Sequence, residues 1–307
     1  MKNILITGGS GLVGTRLSKL LIAKGYHVGH LTRGKVVSND PEITNFQWNI
    51  NKQTIDPEAL QFADIIIHLA GAGVVEKRWS PERKKEILNS RVMSTRLLYT
   101  ALANQKHHVE CLVSASAIGI YGADTGHELM HEQSAPSDEF LANVVVKWED
   151  EVNKISGLNI RTTLLRIGIV LANEGGALPQ MVTPVKWWLG SPLGSGDQIV
   201  SWIHIDDLCN IFLFAIENQE MNGIFNAVAP SPVANTELMQ TIARKLHKPL
   251  FMPNVPSFVM KFLLGEMAEV VLGGNKVSAR KIIKAGFKFK YPELSLALKN
   301  LLVKKNG

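Results

Sequence analysis

The run Thr7-Gly8-Gly9-Ser10-Gly11-Leu12-Val13-Gly14 places glycines at 8, 11 and 14 between a short apolar stretch and a helical pattern. That spacing suits a phosphate: Gly8 permits a tight turn, Gly11 lets the backbone approach a pyrophosphate, and Gly14 lets helix and strand pack closely. The pyrophosphate would rest on the amides of Leu12 and Val13, at the positive end of the helix dipole. About 20 residues on, an acid normally holds the free 2′-hydroxyl of an adenosine ribose. Here the second apolar stretch ends Leu31-Thr32-Arg33-Gly34-Lys35, and residues 1–39 contain no acid. Arg33 and Lys35 can instead neutralise a 2′-phosphate, with Thr32 as a hydroxyl donor, so the pattern favours NADP(H) over NAD.

The elements that must hold this loop alternate regularly. NILIT (3–7) has the pattern of a buried strand, LVGTRLSKLLIAKG (12–25) that of an amphipathic helix closed by glycine, and HVGHLTR (27–33) that of a second strand. FQW (46–48) supplies a short third strand and DIIIHLAG (64–71) a fourth, apolar enough to be covered on both faces. A long helix follows over 80–105, with Ser80 as N-cap and Pro81 in its first turn. ECLVSASA (110–117) is a fifth strand, FLANVVVKWEDEVNKI (140–155) a helix, and IRTTLLRIGIVL (160–171) a sixth strand. The alternation predicts an α/β fold, a Rossmann-type doubly wound parallel sheet. Beyond this the chain is punctuated by Gly and Pro at 175–180, 190–198 and 254–259. The predicted division is an NADP-binding domain over 1–174 and a smaller C-terminal substrate lobe over 175–307, from which GIFNAV (223–228) is a candidate to return to the main sheet.

Composition narrows the function. The chain has 307 residues, 46% of them hydrophobic; the opening MKNILITGG has one lysine and a very short apolar run before its glycines, and the most apolar late stretch (258–274) is broken by Lys261, Glu266 and Glu269, so neither a secretory signal nor a membrane span is predicted. Two cysteines, Cys111 and Cys209, lack metal-ligand spacing and fit a reducing, cytoplasmic setting. The net charge of +6 is concentrated at the end: residues 276–307 hold nine Lys or Arg against one acid, Glu293. With no zinc-finger spacing or RNA-binding motif, that charge reads as a solvated helix face, not a nucleic-acid surface.

With the glycine loop, HLAG (68–71) and SASAIGIYG (114–122), the chain resembles the extended short-chain dehydrogenase/reductase superfamily. KRWSPERKKEILNSRVMST (77–95), GGALPQM (175–181), PLGSGDQIVSWIHIDDL (192–208) and LLGEMAEVVLGGNKVSARKIIKAGFKFKYPEL (263–294) are similar, more narrowly, to epimerase-family proteins that end in a small domain of unknown function. The resemblance covers essentially the whole chain. It implies that Leu69, Ala70 and Gly71 line the cofactor at the end of the fourth strand, and that Glu86 and Arg91 approach it from the next helix. Ser114 and Ser116 alternate with alanines and so share one face of their strand. The resemblance places Ser114 beside the cofactor and gives Ser116 a hydrogen bond to the substrate carbonyl or hydroxyl.

The chain departs from this pattern on the 140–155 helix. Superfamily enzymes carry Tyr-x-x-x-Lys there: the tyrosine exchanges a proton with the substrate oxygen, and the lysine lowers its pKa and holds the ribose. Aligned on Glu149, the two positions are Leu141 and Val145; a one-residue slip gives Phe140 and Val144. A proton relay worth roughly 10² to 10⁴ in rate must come from elsewhere or be absent. Tyr121, in the loop after the serines, is one substitute. His204, held by Asp206 or Asp207, is another, although the same motif in relatives looks structural.

Two functions stay open. One is an NADP(H)-dependent oxidoreductase or epimerase acting on a nucleotide sugar or other small carbonyl or hydroxyl compound, bound near Lys77, Arg78, Trp79 and the 175–198 loops. The other is a catalytically inactive NADP(H)-binding sensor or scaffold. The partner expected is a small molecule, with neither nucleic acid nor membrane, and a homodimer is an assembly consistent with both.

Overall fold

The computed structural model describes residues 1–34 and 40–303, so Lys35, Lys304 and Lys305 lie outside the described residues. The strands begin with β1 (Asn3–Thr7), β2 (His27–Thr32), β3 (Ile43–Asn49), β4 (Thr54–Ile55), β5 (Ile65–His68) and β6 (Cys111–Ala117). A two-residue β7 (Leu129–Met130) is followed by β8 (Arg161–Ile167), β9 (Ile169–Leu171), β10 (Ile199–Val200) and β11 (Trp202–His204). β12 (Gly223–Ala227), β13 (Val233–Ala234) and β14 (Lys276–Val277) complete the set. Eight of these form one sheet in the order β12-β8-β6-β5-β1-β2-β3-β4, parallel throughout except at the β3-β4 edge. All four residues of β5 are buried, which requires cover on both faces and explains its unbroken apolar sequence.

Helices supply that cover. They are α1 (Leu12–Ala23), α2 (Pro57–Phe62), α3 (Pro81–Asn104), α4 (Phe140–Ser156), α5 (Ala177–Lys186) and α6 (Ile205–Glu217), then α7 (Asn235–Lys245), α8 (Ser257–Leu264), α9 (Ala268–Leu272), α10 (Arg280–Lys284) and α11 (Leu294–Leu302). α1 packs on α6 and α3 on α4. As expected, Ser80 caps α3, its hydroxyl accepting from the Arg83 amide at 3.2 Å, with Pro81 at the first helical position. No helix among the described residues is long and apolar enough to cross a membrane.

Three features differ from expectation. The third strand runs over 43–49, longer than 46–48, and 54–62 forms β4 and α2 where no element is predicted. α2 spans six residues, too few for an apolar period to show, although Asp56 caps it by accepting from the Glu58 amide at 3.0 Å. The single strand predicted over 160–171 breaks at Gly168 into β8 and β9. A Cβ at Gly168 would lie 2.5 Å from the Ser201 carbonyl oxygen, so the chain can cross there only as glycine and leave the sheet. β9 then pairs with β11.

Segments beyond residue 174 return to the sheet. β12 pairs in parallel with β8, and Lys281 from α10 donates from Nζ to the Ile224 carbonyl on β12. One continuous buried cluster runs from Ile4 to Leu301.

Candidate functional site

At the end of β1 the glycine loop adopts the geometry its spacing requires. Gly8 sits at φ +70°, and a Cβ there would lie 3.0 Å from the Leu69 backbone at the end of β5. A Cβ on Gly14 would fall 2.4 Å from the Gly8 carbonyl oxygen, so only glycine lets α1 close onto the loop. α1 starts at Gly11 with no side-chain cap and no acid in its first turn. The positive end of its dipole and the amides of Leu12 and Val13 are thereby left to an anion.

The loop is held by a chain of hydrogen bonds. The Thr7 hydroxyl accepts from the amides of Leu69 and Ala70, both at 3.1 Å, so its own proton goes to Nδ1 of His68 at 2.7 Å. That fixes the imidazole as the Nε2–H form, which meets the Thr95 hydroxyl at 3.0 Å; Thr95 in turn donates to the Arg91 carbonyl at 2.8 Å. Burial, with the Arg91 charge adding to it, pushes the His68 pKa down to about 3, so the ring is neutral. Thr7 and His68 thus tie β1, β5 and α3 together beneath the glycine loop, a role their spacing in sequence does not suggest.

At the end of β2, exposed Arg33 heads a cleft of about 680 Å³ whose walls include Trp48, Asn51, Glu86, Ser90 and Met93. The Thr32 hydroxyl hydrogen lies within reach of the carbonyls of Gly34 (3.1 Å) and Phe46 (3.3 Å). Glu86 is on the cleft wall, but its carboxylate is engaged by Arg83 at 2.7 Å, and this hydrogen bond is the main cause of its lowered pKa. Arg91 faces elsewhere. Its guanidinium lies 3.1 Å from the position a Cβ on Gly71 would take, 5.3 Å from the Trp148 ring, and donates to the Ile87 carbonyl at 3.0 Å. Burial, and then repulsion from Arg83, lower its pKa to about 10, and among the described residues no carboxylate pairs with it. Glu86 and Arg91, five residues apart on α3, point to different places, Glu86 to the Arg33 cleft and Arg91 to Gly71.

Ser116 and Tyr121 occupy a buried polar belt. The sheet register sets Ser116, Arg166 and Asn226 side by side on β6, β8 and β12. Arg166 clamps Glu149 of α4 with Nε to Oε1 at 2.9 Å and Nη2 to Oε2 at 2.8 Å, and Ser116 donates to the same Oε1 at 2.5 Å. The Tyr121 hydroxyl donates to Asn226 Oδ1 at 2.7 Å and accepts from Arg166 Nη1 at 3.1 Å. Burial raises its pKa against the opposing influence of Arg166. Both side chains are at most 4% exposed. Their hydroxyls are spent inside the protein, and neither residue lines the nearby cleft. Ser114 is fully buried and donates to the Ala115 carbonyl at 2.9 Å. His204 is likewise structural: Nδ1 accepts from the Asp206 amide at 3.0 Å, capping α6, and Nε2 meets Asn300 Oδ1 at 3.1 Å.

The cleft lies at the C-terminal ends of β6 and β8, where open parallel sheets bind ligands. It encloses about 240 Å³ between Ala117, Ile167, Leu141, Trp79 and the 273–275 segment. Leu141, at the tyrosine position, faces it; its titratable side chains are two carboxylates, Glu139 and Glu269. Glu139 is positioned through Oε2, which accepts from the Ala123 amide at 2.6 Å. No group of three or more metal-binding side chains occurs among the described residues. Sequence inspection does not single out Asn275, yet the Gly-Gly before it is a legible signal of close backbone approach.

Comparison with known proteins agrees with this architecture. The NAD dependent epimerase/dehydratase family matches residues 4–227, and DUF1731, a domain of unknown function, matches residues 255–301. An epimerase family protein of Staphylococcus aureus is 39% identical over 304 residues, covering 99% of this chain and all of that one. The crystal structure of human epimerase family protein SDR39U1 with NADPH is 31% identical and superposes with a TM-score of 0.85 over 97% of this chain and 98% of that one. A nucleoside-diphosphate sugar epimerase from Corynebacterium glutamicum is 30% identical with a TM-score of 0.79, covering 98% of this chain and 58% of that one.

Proposed function

Because the chain belongs to the NAD dependent epimerase/dehydratase family, we propose that it binds NADP(H) and carries out redox chemistry on a small carbonyl or hydroxyl compound without the usual Tyr-x-x-x-Lys pair. The observation that carries the cofactor reading is the uncapped start of α1 above a loop that only glycines can form, with Arg33 where an NAD-binding acid would stand. The human relative solved with NADPH supports the same choice. Leu12 and Val13 hold the pyrophosphate and Arg33 the 2′-phosphate, with Thr32 able to donate to it only by giving up the carbonyls of Gly34 and Phe46, and Arg91 offers an unpaired charge beside Gly71. Bound there, the cofactor supplies hydride transfer. The chain's own part is to orient it, to exclude water from the apolar cleft, and to move a proton at the substrate oxygen through Glu139 or Glu269.

NADPH at a hundredfold excess over its Kd is expected to stabilise the folded protein by about 2.7 kcal/mol over the ligand-free protein, and NADH at the same concentration is expected to raise the melting temperature less. Arg33→Ala is expected to bring the two shifts together. Equal shifts in the unaltered protein would overturn the assignment of Arg33.

A second reading, an NADP(H)-binding protein without turnover, is favoured by one observation: Ser116 and Tyr121 are committed to the Arg166 belt. Oxidation of NADPH, followed by the loss of its absorbance on addition of carbonyl compounds, separates the two. If turnover occurs, Tyr121→Phe is expected to leave its rate unchanged at equal folded protein, whereas a loss of more than about 10²-fold would return the proton relay to that phenol.

A further inference from the structure

Eight of the fourteen large apolar side chains that stand exposed among the described residues fall between Trp187 and Leu263. Scattered singly, such residues need no explanation; gathered on one part of the surface, they mark a contact. Three follow one another at the end of α5, where Trp187 is 73% exposed with Trp188 and Leu189 beside it. Trp188 sits at φ +66°, a left-handed position after the helix that favours glycine, and its ring is half exposed. Packing inside the protein does not account for a tryptophan there.

This stretch is stitched to a second one. Lys248 Nζ lies 4.4 Å from the centre of the Trp188 ring, and a Cβ on Gly190 would fall 3.1 Å from Leu250, the neighbour of exposed Phe251. The Gly194 amide then donates to the Val255 carbonyl and the Val255 amide to the Pro192 carbonyl, both at 2.9 Å, which leads directly into α8. α8 buries no residue. Phe258 and Phe262, four positions apart and so on one face, are 74% and 81% exposed. An apolar helix with no buried side finds its partner outside the chain.

Charge indicates which partner. Residues 175–196 and 238–265 hold Lys186, Arg244, Lys245, Lys248 and Lys261 and no Asp or Glu. Among the described residues none of these five forms an ion pair, and the carboxylate that follows α8, Glu266, is neutralised by Lys84. A twofold contact with a second copy would set these cations against their own counterparts. None of the eight apolar side chains lines the clefts of 240 and 680 Å³, so they protrude and do not form a pocket for a ligand. Protruding tryptophan and phenylalanine among unpaired lysines suit the interface of a bilayer with anionic headgroups, where the rings enter the acyl boundary and the cations stay at the phosphates.

We propose that the face formed by the end of α5, the 248–257 segment and α8 docks on an anionic phospholipid surface. The contact lies on the bilayer without crossing it, in keeping with the lack of a spanning helix among the described residues. It departs from the sequence expectation of no membrane partner, which could not register two stretches that meet only in the folded chain.

The test is flotation of the full chain with vesicles of phosphatidylcholine alone and of an equimolar mixture of phosphatidylcholine and phosphatidylglycerol. Binding to the mixed vesicles is expected to be at least about tenfold tighter and to weaken as salt rises. Trp187→Ser with Phe262→Ser is expected to weaken it at least about tenfold at unchanged net charge, without lowering the melting temperature. Removing Lys186, Lys248 and Lys261 together, each to Gln, is expected to cost about fivefold per lysine. The same change at Lys24, Lys52 and Lys106, exposed elsewhere, is expected to leave binding unaltered. Equal binding to both vesicle types, or no binding, overturns the proposal. So does an equal loss in the two lysine triples, which would show that net charge alone attracts the lipid. A dimer in sedimentation velocity that Trp187→Ser with Phe262→Ser dissociates also overturns it and assigns the face to a second copy. If the serine pair does not fold, the comparison of the two lysine triples decides.

Discussion

Replacing Arg166 with methionine is expected to destabilise the protein by about 3–5 kcal/mol, the range for breaking a buried ion pair from one side. Methionine fills much of the volume but leaves the Glu149 carboxylate, 5% exposed, with Ser116 as its one remaining donor among the described residues. It also removes the donor to the Tyr121 hydroxyl and to the Glu132 carbonyl, at 3.1 Å each. Burial opposes the Arg166 charge, but Glu149 outweighs it, and the arginine pKa ends above its ordinary value. Removing both charges in Arg166→Met with Glu149→Leu is expected to cost less than Arg166→Met alone, because no uncompensated ion is left. Urea unfolding at neutral pH measures both. A loss under about 1 kcal/mol for Arg166→Met would mean that water reaches the belt and that its hydroxyls are less committed than their geometry indicates.

Acid is expected to loosen the protein through His68. Its pKa lies near 6.5 in the unfolded chain and falls to about 3 when folded, because burial disfavours the charged ring. Between those values the unfolded chain binds the extra proton. The stability from this site is therefore complete above about pH 6.5 and is lost as pH falls toward the folded value, at a limiting slope of about 1.4 kcal/mol per pH unit. His204, whose pKa burial lowers to about 4, acts with the same sign. His68→Asn should start less stable at pH 7.5, having lost its bonds to Thr7 and Thr95, but decline less steeply with acid. The gap between it and the unaltered protein should narrow by several kcal/mol between pH 7 and pH 4. Parallel stability curves would show that His68 becomes protonated in the folded state at little cost.

What could be read in advance follows from the range of each interaction. The glycine loop, the Ser80-Pro81 helix start and the strand-helix alternation are local patterns, and each stands in the structure as its residues suggest. The break at Gly168 depends on a backbone crossing at Ser201, which nothing near Gly168 announces. The commitment of Ser116 and Tyr121 was equally hidden. It needs Glu149, Arg166 and Asn226, which meet only once three strands and a helix are in register. A serine and a tyrosine placed near a sheet's C-terminal edge look alike in sequence whether they face a substrate or an arginine. Asn275 lay between these cases: the preceding Gly-Gly was visible, but its unpartnered oxygen was not.

The bond from Lys281 to Ile224 also bears on how the molecule meets copies of itself. β12 is the outermost parallel strand, and an open strand edge invites pairing with another chain. Lys281 occupies one of that strand's carbonyls, and its Nζ lies 4.3 Å from the centre of the Phe225 ring. With the Asn226 amide donating to Glu132 Oε1 at 2.9 Å and α10 packed on the strand, polar groups of β12 that an added strand would need are already occupied from within the chain.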